Sequence, residues 1–208
     1  MHFLDKLIID ADKALRVVSG VVQASRPSPA QSLAEAAMSD AEKKHSAGLM
    51  RVNHVGEICA QALYDAQGRF SKTPEVKAQL AHAGIEEEDH LAWTAQRLHE
   101  LGSHTSFLTP LWYVGSYTLG TLAALAGDKQ SLGFVSETER QVEDHLTGHL
   151  QDLPVQDSKS RAVVEQMRVD EIAHGAAARA LGGTEMPMPV KAGMKALSKV
   201  MTTVAYHI

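Results

Sequence analysis

The chain has 208 residues, 44% of them hydrophobic, with one cysteine and a formal charge of −5. That length and apolar content give one domain with material for a core. The charge excludes the basic footprint of a nucleic-acid binder, and a lone Cys59 excludes an internal disulfide and reads as a core thiol.

Residues 3–24 place Phe3, Leu4, Leu7, Ile8, Leu15, Val18 and Val22 at near-helical spacing among Asp5, Asp10, Asp12, Lys13 and Arg16, which predicts an amphipathic helix. Acidic residues in this stretch, and no charged-then-apolar-then-small order, argue against a secretory signal, so a reducing cytoplasm is expected. Arg26-Pro27-Ser28-Pro29 breaks the helix, and residues 25–41 read as a linker ahead of a bundle domain over 42–208.

Four bundle helices follow at about 42–69, 74–101, 129–152 and 158–181, with turn signals at Ser71–Pro74 and Leu153–Ser158. Between the two hairpins, Pro110–Gly127 runs almost without charge; it is shorter than the roughly 20 residues a spanning helix needs, and suits a crossover, a membrane-resting segment, or both. Pro189–Ile208 reads as one more helix.

One pattern occurs twice along these helices. Glu57 is followed by Glu87-x-x-His90, and Glu139 by Glu171-x-x-His174. In an antiparallel hairpin, residues equidistant from the turn lie level, so each lone Glu comes level with its Glu-x-x-His partner. Within a pair, side chains at i and i+3 lie roughly 60° apart and can aim at one point. All six fall on the core stripe, as in Leu132, Val135, Glu139, Val142, Leu146. Unpaired buried carboxylates cost several kcal/mol each, so four together call for cations. Four carboxylates and two imidazoles are the ligand set of a carboxylate-bridged di-iron site in a four-helix bundle.

Glu-x-x-His alone is weak evidence, and the chain contains a third copy, Glu42-Lys43-Lys44-His45, which lacks a level Glu and reads as a solvated helix start. Glu86, Glu88, Asp89 and Asp170 neighbour the selected acids but have no His three residues on, and Asp170 reads as a supporting or surface group. Glu143, one turn from Glu139, is a rival ligand or a supporting group; Glu139 preserves the repeat offset. His54, Tyr64, His145 and His149 lie on the same helices, where they could hydrogen-bond to the ligands or relay electrons, but such residues are more often surface or satisfied core groups.

With Leu49–Glu57, Ala60–Tyr64, the Glu87–His90 block, the Trp112–Gly127 crossover, Glu137–Glu143 and Asp170–His174 in view, the sequence resembles the demethoxyubiquinone hydroxylases of ubiquinone biosynthesis over nearly its whole length. The resemblance implies an all-α, ferritin-like four-helix bundle with a crossover helix and extra N- and C-terminal helices. It implies two iron ions per chain held by Glu57, Glu87, His90, Glu139, Glu171 and His174, with Glu87 and Glu171 bridging, and O2 as co-substrate. The implied substrate is a 2-polyprenyl-3-methyl-6-methoxy-1,4-benzoquinol, which gains one ring hydroxyl. It also implies a peripheral protein on the cytoplasmic face of the cell membrane, reaching a quinol in the bilayer through the Leu4–Val22 stripe and the Trp112–Leu125 segment. Other expected partners are an electron donor and proteins of ubiquinone biosynthesis. No dinucleotide or flavin motif is visible, which leaves a reductase, NADH or the quinol itself as electron source.

A ferritin-like ferroxidase or iron-storage protein could use the same six ligands, as could a manganese catalase. The apolar crossover is unhelpful to a soluble storage cage. A structural adaptor would need no inward carboxylates.

Overall fold

The computed structural model describes residues 2–35 and 37–208, with only the backbone of residues 3, 6 and 7, so the expected stripe positions Phe3 and Leu7 lie outside the described side chains. Among the described residues every regular element is an α-helix: α1 Phe3–Val18, α2 Asp40–Phe70, α3 Pro74–Glu100, α4 Thr109–Leu125, α5 Asp128–Asp152, α6 Ser158–Ala180 and α7 Met188–Ala205. α1 is shorter than its apolar pattern suggests. Gly20, at φ 71°, takes the left-handed conformation that ends a helix, and Val21 beyond it is exposed.

The helix starts are written locally. Ser39 accepts from the Glu42 amide while Glu42 reaches back to the Ser39 amide, a capping box for α2. This gives the Glu42–His45 copy its role; His45 bonds the Tyr206 hydroxyl and the Asp152 carbonyl. Pro74 opens α3 and Asp157 caps α6 by accepting from the Ser160 amide.

α2, α3, α5 and α6 form the bundle, α2 and α6 running one way and α3 and α5 the other. Their apolar residues divide into two layers. One joins Leu49 and Met50 of α2, Trp93 and Leu98 of α3, Leu146 of α5, and Val163, Val164 and Met167 of α6. The other joins Ala60 and Tyr64, Val76, Leu80 and Ala83, Leu132 and Val135, and Ala178 of the same four helices in turn. The intervening stretch of each helix, residues 54–57, 87–90, 139 and 171–174, therefore forms a polar slab between two apolar layers.

The α2–α3 turn lies at one end of the bundle and the α5–α6 turn at the other, so α4 must travel the full length to join the hairpins. It does so against the outside of α2, and Gly120 permits the approach: a Cβ there would stand 2.9 Å from the Leu63 carbonyl oxygen. α1 packs beside α4, with Val17, Ile58, Leu91 and Tyr113 in one buried cluster. Outward, both helices are apolar: Leu4, Ile8 and Leu15 of α1 and Leu111, Val114, Leu122 and Leu125 of α4 are exposed. Among the described residues no helix is long and apolar enough to cross a membrane.

The expected linker is packed for much of its length. Ala30 and Met38 join the first apolar layer, Glu35 pairs with Arg97, and Ser25 and Arg26 bond acids of the bundle. We refer to residues 19–39 as the strap.

Candidate metal centre

The polar slab brings all six selected residues together, each at least 96% buried. Two groups offer atoms within 4.8 Å of one another: Glu57, Glu87, His90 and Glu171, and Glu139, Glu171 and His174. Glu171 belongs to both. Glu87 also spans both halves, its Oε2 lying 3.5 Å from His90 Nδ1 and its Oε1 3.4 Å from His174 Nδ1.

Both imidazoles point the same way. His90 Nδ1 faces Glu57 at 3.2 Å and Glu171 at 3.4 Å, and His174 Nδ1 faces Glu171 at 3.3 Å. The outer nitrogens meet carboxylates across the α3–α6 seam: His90 Nε2 lies 2.9 Å from Asp170 Oδ2, and His174 Nε2 lies 2.8 Å from Glu86 Oε2. A carboxylate on the outer nitrogen fixes ring orientation and leaves the inner nitrogen as the donor to a metal.

The donor set fits a pair of cations. Both oxygens of Glu87 and Oε2 of Glu139 are buried with no hydrogen-bond partner, a costly arrangement for carboxylates unless something positive sits between them. Hard oxygen donors with imidazole suit divalent iron or manganese, and no thiolate intrudes: Cys59 is half-buried beside Met201, its thiol pushed up to about 11 by burial.

Without metal the slab balances itself with protons. Burial, then the charge of Glu87, pushes Glu57 well above the carboxylate range, and burial with the charge of Glu171 does the same to Glu139. Burial opposes ionisation of Glu87 and Glu171 as well, but the imidazoles beside them overcome it and hold both below that range. Burial likewise disfavours charged imidazoles. The carboxylates around them win, raising His90 far above its ordinary value and His174 to about 12.

The remaining candidates divide. Tyr64 donates its hydroxyl hydrogen to Glu139 and sits edge-on to His174, so it belongs to the centre. Its place seven residues after Glu57, two turns along the same face, was the sequence signal. Glu143 is half-buried, outside both groups, and its charge acts on Arg168. His54 is buried and its pKa drops to about 4 through burial. His145 and His149 lie with ring centroids 3.9 Å apart and planes tilted by 58°, facing a groove between α5 and α7.

Neither outer acid has a His three residues on; Asp170, expected as a supporting or surface group, takes the supporting place, and Glu86 carries no such expectation. Yet Glu86 and Asp170 precede Glu87 and Glu171, and the same 84 positions separate each pair (170 − 86 and 171 − 87). Each serves the histidine of the opposite helix.

A family model described as ubiquinone biosynthesis protein COQ7 matches residues 44–205, which include the whole slab and the bundle helices apart from the first turn of α2. The chain belongs to the COQ7 family. Members similar to it include proteins named 3-demethoxyubiquinol 3-hydroxylase from Herbaspirillum seropedicae, 68% identical with all of both chains covered, and from Herminiimonas arsenicoxydans, 63% identical with 98% of this chain and 97% of the relative covered. A third, from Janthinobacterium sp. (strain Marseille), is 59% identical over the full length of both. The first and third also span α1 and the strap, which lie outside the region matched by the COQ7 model.

Proposed function

We propose that this COQ7-family chain is a 3-demethoxyubiquinol 3-hydroxylase, a monooxygenase acting on the ring of a 2-polyprenyl-3-methyl-6-methoxy-1,4-benzoquinol. The observation that carries the chemistry is the buried slab in which Glu87 and Glu171 each reach both imidazoles while Glu57 and Glu139 flank them. Glu57, Glu87, His90, Glu139, Glu171 and His174 would hold two iron ions, with Glu87 and Glu171 shared. The ions, when bound, supply reduction of dioxygen with insertion of one oxygen atom into the ring and release of the other as water, using two electrons from an external donor or the quinol.

The protein's own groups hold, orient and exclude. Asp170 and Glu86 keep Nδ1 of each imidazole turned inward. Tyr64, kept a phenol by burial and by the charge of Glu139, steers one oxygen of that carboxylate. The apolar layers on either side shut water out of the slab, which strengthens every charge interaction inside it.

The exposed apolar faces of α1 and α4 support a peripheral station on the cell membrane, where a polyprenyl quinol dissolves. The helices would lie on the bilayer surface, with the bundle on the cytoplasmic side.

The test is a single turnover. Iron-loaded, chemically reduced protein is mixed with a short-tailed demethoxyubiquinol and labelled dioxygen, and the quinone is read by mass spectrometry. One labelled oxygen in the product is expected. Oxidised iron accumulating beyond two per chain without product would replace this reading with ferroxidase or storage chemistry.

A further inference from the structure

The carboxylates that hold the outer nitrogens of His90 and His174 come from opposite helices, and one side chain from outside the bundle reaches both. Arg26, in the strap, sends Nη2 to Asp170 Oδ2 at 2.9 Å and lies with Nη1 3.6 Å from Glu86 Oε1. Its Nε bonds Asp89 Oδ2 at 2.5 Å, and its guanidinium sits 5.0 Å from the centroid of the Trp93 ring. The strap backbone is fixed at the same point. The amides of Ser25 and Arg26 donate to Asp89 Oδ1, and the Trp93 indole donates to the Arg26 carbonyl.

We propose that Arg26 is a positioning residue shared by both imidazoles, clamping Asp170 and Glu86 across the α3–α6 seam so that His90 and His174 present Nδ1 inward. A guanidinium is a planar fork of donors with no acceptor, so each of its three nitrogens can face a different carboxylate. Asp170 Oδ2 receives Arg26 on one side and His90 on the other. An oxygen already accepting from a guanidinium offers the imidazole only an acceptor, which puts the imidazole hydrogen on Nε2 and the free lone pair on Nδ1. The clamp is lopsided. Arg26 bonds Asp170 directly and stands off from Glu86, so the His90 half depends on it more than the His174 half.

The inference rests on the two-metal reading of the slab and adds a role for a segment that supplies none of the six ligands. Its test uses cobalt(II), added to metal-free full-length protein, with optical titration for affinity. Shifted proton resonances of the imidazole Nε2–H groups report each histidine. The wild-type chain is expected to take two ions and show two such resonances. Arg26→Gln is expected to loosen one ion 10–100-fold, the scale at which groups supporting metal ligands act, and to lose the His90 Nε2–H resonance to solvent exchange while that of His174 persists. Arg26→Lys, which keeps the charge and stem without the fork, also serves if the glutamine variant does not fold; its expected weakening is smaller and confined to the same ion.

Glu35→Gln is the control for a merely structural strap, because it breaks the strap's other anchor at Arg97 and leaves Arg26 in place. It is expected to bind both ions as the wild type does. Two wild-type affinities and both resonances in the Arg26 variants, or the same defect in Glu35→Gln, would overturn the clamp. A wild-type chain that takes no ion would instead overturn the two-metal reading beneath it.

Discussion

Tyr64 of α2 donates its hydroxyl hydrogen to Glu139 of α5, among the described residues the one polar contact that either oxygen of that carboxylate makes with a side chain outside the acid and imidazole cluster. Removing the hydroxyl leaves Glu139 with no fixed orientation. Tyr64→Phe is expected to cost the metal-free protein about 1–2 kcal/mol, the usual penalty for orphaning a buried acceptor. Urea unfolding monitored by helical signal measures it. An unchanged midpoint would mean that Glu139 finds another donor.

Metal loading should release protons. Without metal, burial and neighbouring charges raise the pKa values of Glu57 and Glu139, and the surrounding carboxylates raise those of His90 and His174, whereas holding cations with these four groups requires them deprotonated. The metal-free state therefore binds more protons, and acid favours it. Apparent affinity is expected to fall as pH drops, with protons released as the ions bind. Calorimetric titration of ferrous or cobalt ions in buffers of different ionisation enthalpy gives the count; a release near zero would contradict the proton-balanced slab.

Stability away from the slab centres on Arg97, which is 1% exposed and meets Glu35, Glu100, Asp157 and Ser160. Asp157 also caps α6. Asp157→Ala removes the most buried of the carboxylate partners of Arg97 and the cap at once, and the expected loss is about 3–5 kcal/mol, as for other broken buried pairs. Asp157→Asn keeps an oxygen for the cap and is expected to lose less. Paired denaturation curves separate the two effects.

Membrane contact is open to direct measurement. Leu122 and Leu125 of α4 are exposed, so replacing both with Glu is expected to change folding stability by no more than about 0.5 kcal/mol per position. Binding to lipid vesicles, read by co-sedimentation, is expected to drop sharply. Equal sedimentation of the variant and the parent chain would remove α4 from the membrane-facing surface.

The six central residues were legible because two constraints act together. The helix places Glu87 with His90 and Glu171 with His174 on one face, and the hairpin turns set the height of Glu57 and Glu139. Neither depends on tertiary detail. Glu86, Asp170 and Tyr64 were also within reach, through the repeated acid before each Glu-x-x-His and through two-turn spacing, but choosing acids by their own i+3 histidine hides partners that serve a neighbouring helix. Arg26 had no such signal. It lies in a Pro-containing stretch without periodicity, and its partners are fixed only once α3 and α6 stand side by side.

The Arg26–Asp170 pair joins positions 144 apart in the chain. During synthesis Arg26 emerges early, yet its partner exists only after nearly all of the chain has been made and α6 has docked on α3. Closing so long a loop adds little entropy over a shorter one, because the cost grows only with the logarithm of length. What it sets is order. The strap can seat fully only on a finished bundle, so the support of both histidines records that the second hairpin has arrived.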